Sequence, residues 1–276
     1  RMYRTVLVAL DGSKNAERVL PYVESVLRES GGRAVLLQVL PAGERRPEAA
    51  AEAYLRSVQS RLSRKKIKGE REILHGDPAV VILRAAEKRQ AELVAFTSHG
   101  EGGLAQWVFG SVAQKILRGC SRPLFVARPL EGPPPRVKRL IVPLDGSVGS
   151  EATLPHAAVL ARATGAAIEL LHVAQPTGVE AEDSKLRGWI GREKRRMQTR
   201  FCEIERSLPK LSFEQSIEEG DPAAWIKKRS ERQAGAVIVM GNHGRTGISR
   251  WVYGSVSEKV LQAARVPVLI ARHTPS

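Results

Sequence analysis

The feature that most constrains this chain is that it repeats itself. Val8-Ala9-Leu10-Asp11-Gly12-Ser13 returns as Val142-Pro143-Leu144-Asp145-Gly146-Ser147, an offset of 134 residues. The same offset superposes Leu20-Pro21 on Leu154-Pro155, Gly31 on Gly165 and Val39 on Val173. Further along, Gly76-Asp77-Pro78-Ala79 is answered by Gly220-Asp221-Pro222-Ala223, and Trp107-Val108-Phe109-Gly110-Ser111-Val112 by Trp251-Val252-Tyr253-Gly254-Ser255-Val256, now at an offset of 144. Matches kept in one order over this length mark a tandem duplication, with the extra residues of the second copy falling between Val173 and Gly220. Pro133-Pro134-Pro135 cannot join a helix or a central strand, so the seam is a short stiff linker between domains at 1–130 and 137–276.

Within each copy short apolar runs alternate with amphipathic stretches. Thr5–Leu10 and Leu140–Leu144 read as strands buried on both faces. Asp11-Gly12-Ser13 leads into a helix from about Asn15 to Glu29, stopped at Gly31-Gly32. A strand over Ala34–Val39, a helix over Glu48–Lys66 and a strand over Gly69–Leu74 follow. Asp77 with Pro78 then starts a helix, as Asp221 with Pro222 does in the second copy. Leu93–Phe96, Ser111–Leu117 and Pro123–Ala127 complete the copy as strand, helix and strand. This alternation predicts an α/β fold: two tandem five-stranded parallel-sheet domains of the mononucleotide-binding, Rossmann-like type, with helices on both faces. Right-handed crossovers place the turns after the first and fourth strands together at the switch point, where such sheets take ligands.

Composition removes several classes. No run of apolar residues is long enough to span a membrane, and the first residues lack a signal-peptide pattern, which predicts a cytoplasmic protein. Cys120 and Cys202 stand alone, without metal or redox spacing. The net charge of +15 suggests nucleic acid, but it is spread evenly, with 22 basic against 14 acidic residues in 1–132 and 22 against 15 in 133–276. Its densest stretches carry no interleaved aromatics for base stacking and read as solvated helix faces, which argues against a nucleic-acid partner.

The chemistry concentrates where the fourth strand of the second copy, Ala236–Met240, meets Gly241-Asn242-His243-Gly244, followed by nine residues and Gly254-Ser255 at a helix start. Glycines let backbone approach an anion, and free N–H groups at a helix start favour one. The Ser255 hydroxyl adds a donor, and Asp145 at the switch point suits ribose hydroxyls. Ser13 and Ser147 read as helix caps, and Asp11 and Asp145 have a capping role as an alternative. His99 and His243 lack the nucleophile and orienting acid of a catalytic triad and read as loop hydrogen-bonding residues. Trp107, Phe109, Trp251 and Tyr253 read as loop anchors.

Asp145 after Val-Pro-Leu, then Gly241-x-x-Gly244, nine residues and Gly254-Ser255 resemble the nucleotide-binding pattern of the universal stress protein family, and the resemblance extends over both copies. It implies ATP as ligand with Mg²⁺ bridging its phosphates, Asp145 on ribose, the backbone of Val173 on adenine and Pro143 along the base pocket. Met240, Gly241, Gly244, Gly254, Ser255 and Val256 would then surround ribose and phosphates, with Arg245 beside them. The first copy keeps Asp11, Val39, Gly100, Gly110, Ser111 and Val112, but Thr97 replaces the first loop glycine and Glu101 stands where the second copy has Arg245. The resemblance therefore implies a non-enzymatic stress-response module that binds ATP chiefly in the second domain. A slow ATPase and a nucleotide-independent, chaperone-like interaction protein remain as alternatives. The two closing strands, Pro123–Ala127 and Pro267–Ala271, have edges that need cover. Their antiparallel pairing in an intramolecular pseudo-dimer is expected, with further homodimerisation open.

Overall fold

The computed structural model describes residues 2–41, 48–98, 110–129, 132–175, 183–232, 234–242 and 253–272. Two compact units emerge, the first reaching Pro135 and adding Pro267–Arg272, the second covering Arg136–Val266. In the first unit β1 (Thr5–Leu10) is buried at all six positions. It lies between β2 (Arg33–Leu40) and β4 (Leu93–Thr97), parallel to both. β3 (Lys68–His75) extends the sheet beyond β2, and β5 (Leu124–Ala127) extends it beyond β4. The helices α1 (Leu20–Ser30), α2 (Glu48–Arg64), α3 (Pro78–Lys88) and α4 (Ser111–Gly119) supply the crossovers. Leu7, Leu36, Leu37, Leu93, Leu124 and Phe125 are all fully buried in this core.

The second unit repeats the plan. β6 (Arg139–Pro143) lies between β7 (Ala167–Ala174) and β9 (Ala236–Gly241), and β8 (Phe213–Glu219) flanks β7, all parallel. Its helices are α5 (Val148–Glu151), α6 (Leu154–Thr164), α7 (Asp183–Ser207), α8 (Pro222–Glu231) and α9 (Ser255–Ala263). The last strand, β10 (Val268–Ala271), belongs to the first unit and runs antiparallel to β5, with Val268 opposite Val126 and Ile270 opposite Leu124. Both units thus have the α/β fold expected, with a mostly parallel sheet.

One expected element divides. The helix predicted over Asn15–Glu29 is a 3-10 turn at Ala16–Val19 followed by α1, and its counterpart is α5 followed by α6. Pro21 and Pro155, at the second position of α1 and α6, have no N–H to carry the hydrogen-bond ladder back into the preceding turn, so each helix starts afresh. Both end at a left-handed glycine, Gly31 with φ 69° and Gly165 with φ 73°. The second core also holds a carboxylate: Glu169, 1% exposed, lies 3.0 Å from Arg139 and 3.4 Å from Arg229 and accepts from the Ser216 hydroxyl at 3.0 Å. Val35 fills the matching place in the first unit.

Candidate functional site

At the end of the central strand of each unit the chain turns through Asp-Gly-Ser. Asp11 Oδ1 accepts the Ser13 N–H at 2.9 Å, and Ser13 Oγ accepts the Ala16 N–H at 3.0 Å. In the second unit Asp145 Oδ1 accepts both the Ser147 N–H at 2.9 Å and the Ser147 hydroxyl at 2.6 Å, while Ser147 Oγ accepts the Ser150 N–H at 3.1 Å. Gly12 and Gly146 sit at φ 89° and 79°, which permits these tight turns. The serines cap the following helical turn, as their position suggests. Each aspartate closes a local turn with one oxygen.

The fourth strand of each unit leads to the second half of the site. The Gly110 N–H donates to Ser98 O at 3.1 Å, and the Gly254 N–H to Asn242 O at 3.0 Å, which ties each helix start to the residue that follows the fourth strand. Gly110 and Gly254 then begin α4 and α9 without any side-chain cap. Other helix starts in these units differ: Asp77 caps α3, accepting from the Val80 N–H, and Asp221 caps α8, accepting from the Ala223 N–H, whereas α1 and α6 also start without a side-chain cap. The uncapped donors at the start of α4 therefore carry the partial positive charge of a helix N-terminus without a protein acceptor from the cap residue.

In the first unit that helix start faces a cavity of about 340 Å³, a size suited to a small ligand. Asp11, Val39, Gly110, Ser111 and Val112 all line it, with Thr97, Phe96 and Ile82 among the other walls. Gly100 lies outside the described residues. Thr97 Oγ1 is 3.3 Å from Ala16 O and donates to it, so the hydroxyl is tied to the turn after β1. Burial, with the nearby carboxylates of Glu17 and Asp11, pushes the Tyr54 phenol upward at this end of the unit.

In the second unit Pro143 ends β6, Val173 lies near the end of β7, and Met240 and Gly241 end β9, beside β6 in the sheet. Asp145 follows β6, and Ser255 and Val256 open α9 after Gly254. These residues therefore occupy the C-terminal ends of neighbouring strands and the helix start that follows. Gly244 and Arg245 lie outside the described residues, as do His99, Glu101, Trp107, Phe109, His243 and Trp251.

Sequence reasoning missed three side chains here. His172, 3% exposed on β7, places Nδ1 2.8 Å from Leu144 O. Glu193 and Arg196 on α7 complete a group around the Asp145 turn. Arg196 donates to Glu193 through Nε at 2.9 Å and through a terminal nitrogen at 2.8 Å. Those bonds, with Asp145 a further negative neighbour, hold the Arg196 guanidinium above its usual range. The available signal was His172 itself, an imidazole inside the otherwise apolar run Ile168–Ala174 apart from Glu169. Among the described residues, no three His, Cys, Asp or Glu side chains gather to hold a metal ion, and no helix is long and apolar enough to cross a membrane.

Comparison with known proteins agrees with this layout. A universal stress protein of Mycobacterium tuberculosis (strain ATCC 25618 / H37Rv) is 28% identical over 262 residues, 92% of this chain and 82% of that protein. One from Methanocaldococcus jannaschii is 31% identical over 145 residues, covering 49% of this chain and 82% of its own length. The crystal structure of a universal stress protein from Archaeoglobus fulgidus DSM 4304 covers 99% of both chains with a TM-score of 0.70 at 22% identity, a likeness of fold. The model of the universal stress protein family matches residues 2–128 and again 136–272. With two matches that together span nearly the whole chain, this protein belongs to the universal stress protein family.

Proposed function

We propose that this chain is a stress-response binding module whose two units receive adenine nucleotide, ATP in the first instance, at the switch points of their sheets. The observation that carries the reading is the first unit's cavity, where a carboxylate at a strand end, a glycine and an uncapped helix start converge on a volume fit for a nucleotide. In this reading Asp11 and Asp145, each at the turn after a central strand, accept from ribose hydroxyls. Backbone at Val39 and Val173 meets the base, with Pro143 beside it in the second unit. Phosphates lie against Gly110-Ser111-Val112 in one unit and against Gly254-Ser255-Val256, with Met240, Gly241, Gly244 and Arg245, in the other. Gly100 would serve the first unit as Gly244 serves the second.

Mg²⁺ belongs to the ligand in this scheme. The hydroxyls of Ser111 and Ser255 would be the protein groups to help hold it, and it would supply charge neutralisation to the phosphates, in keeping with an ion that retains most of its water. The second unit has the complete glycine pattern and is assigned the tighter site. The role is occupancy-dependent binding, with no step of bond cleavage assigned to any residue. Mass spectrometry of small molecules released by heat from freshly purified protein tests this. Adenine nucleotide at up to two per chain is expected, and a chain that is empty and stays empty in millimolar ATP with Mg²⁺ overturns the proposal.

A further inference from the structure

His172 lies between the two parts of the second unit's site. The Leu144 carbonyl can only accept, so Nδ1 at 2.8 Å carries the proton and donates. Leu144 precedes Asp145, and His172 precedes Val173, so this one bond ties the end of β7 to the turn after β6. On its other side Nε2 lies 3.4 Å from Glu193, an ion pair only when the ring is protonated on both nitrogens. Glu193 in turn holds Arg196, whose guanidinium reaches back over the turn to within 3.0 Å of where a Cβ on Gly146 would stand. The turn thus carries the His172 bond at residue 144 and lies under the Arg196 guanidinium at residue 146, with Glu193 between the two side chains.

The first unit has the same strand register, with Leu10 opposite Gln38, but not this arrangement. Gln38 is 2% exposed, and its Oε1 is buried without a hydrogen-bond partner among the described residues. Its α2 is 17 residues long against 25 for α7, the helix that brings Glu193 and Arg196.

We propose that His172, through its bond to the Leu144 carbonyl, is a positioning residue that fixes the distance between the base-contacting and ribose-contacting segments of the second unit. The replacement of His172 by Gln38 in the first unit is then a second cause, besides Thr97, of unequal affinity. This rests on the nucleotide reading above. A turn already held in its bound shape loses less freedom when ligand arrives, and one buried hydrogen bond of this kind corresponds to about 3- to 10-fold in affinity.

The test uses the full chain with one unit silenced at a time, by Gly110→Val or by Gly254→Val with Ser255→Ala. With the first unit silenced, His172→Gln should weaken calorimetric ATP binding by about 3- to 10-fold and speed amide exchange at Asp145–Ser147. With the second silenced, Gln38→His should tighten binding by a similar factor. Glutamine is the residue the sister unit already accommodates at this place, so the first variant is expected to fold. A chain that binds ATP equally well with His or Gln at 172, or weaker binding with unchanged exchange at the turn, overturns the positioning role alone. An unmodified chain that takes up no ATP overturns the nucleotide reading and this role with it.

Discussion

Gly110→Val separates a glycine needed by the fold from one needed by a ligand. Gly110 has φ −57° and ψ 151°, a conformation open to any residue. Among the described residues, a Cβ built there meets only Ser98 O, at 3.5 Å, which is ordinary contact. Valine should therefore leave the unit folded. It narrows the unfolded ensemble slightly, a gain of about 0.4–1 kcal/mol at most, so the melting temperature should stay within about 4 °C. The consequence for binding is much larger. The two methyl groups stand at the mouth of α4, where phosphate oxygens would meet the first amide donors, and one charge-assisted hydrogen bond there contributes about 1.5–3 kcal/mol. Its loss weakens binding by about 10- to 150-fold. The assay is calorimetric titration of ATP with Mg²⁺ into chains whose second unit is silenced, beside a thermal melt followed by circular dichroism. Unchanged affinity refutes the assignment, and a melting temperature lowered by more than about 8 °C refutes the claim that the fold does not need this glycine.

The same logic predicts that Gly254→Val with Ser255→Ala removes nucleotide binding from the second unit while circular dichroism stays native, since Gly254 has φ −61° and ψ 152°. Thr97→Gly with Glu101→Arg should raise the first unit's ATP affinity about 10- to 100-fold by clearing a Cβ and reversing a charge, measured with the second unit silenced. Its cost is the bond from Thr97 to Ala16 O, about 1 kcal/mol in a denaturant titration. For His156, burial lowers the pKa from 6.5 to about 4. The folded unit therefore favours the neutral ring, so its contribution is present above the unfolded value near 6.5 and is lost as pH falls toward 4. Wild-type stability should drop on acidification by about 2 kcal/mol more than that of His156→Leu in paired denaturant titrations at pH 7 and 4.5, and parallel curves would contradict this.

Much of the architecture could be read from the sequence because duplication presents each signal twice. Asp77-Pro78 and Asp221-Pro222 both announce helix starts, and both aspartates make the cap bond. Strand positions were legible for the same reason, since buried parallel strands such as Thr5–Leu10 are continuous apolar runs. The break at Pro21 was missed because the amphipathic period continues through it, and only the loss of one N–H restarts the helix. The turn residues of the site were visible as Asp11, Asp145, Gly110 and Gly254. His172, Glu193 and Arg196 were not, because their relation is tertiary. Glu193 and Arg196 read locally as one more solvated, charged turn of a long helix, and only the fold carries that turn over Asp145.

The two units also show how a duplicated domain diverges without losing its frame. The first keeps an apolar centre at Val35 and a glutamine at position 38. The second places Glu169 and His172 in the same strand, pairs Glu169 with Arg139 and Arg229, bonds His172 to the Leu144 carbonyl, and sets Glu193 and Arg196 of α7 alongside. Removing one partner of the buried Glu169 group costs about 3–5 kcal/mol, so Glu169 and its arginines persist together, and the longer α7 brings Glu193 and Arg196 beside His172. That set lies beside the Asp145 turn. On the nucleotide reading, the changes that built it separate the affinities of the two units. A tenfold separation means that when free nucleotide equals the tighter constant, one site is half filled while the other is about one-tenth filled. A chain of this kind reports nucleotide over a wider concentration range than two identical sites would, and the substitution of His172 alone should narrow that range.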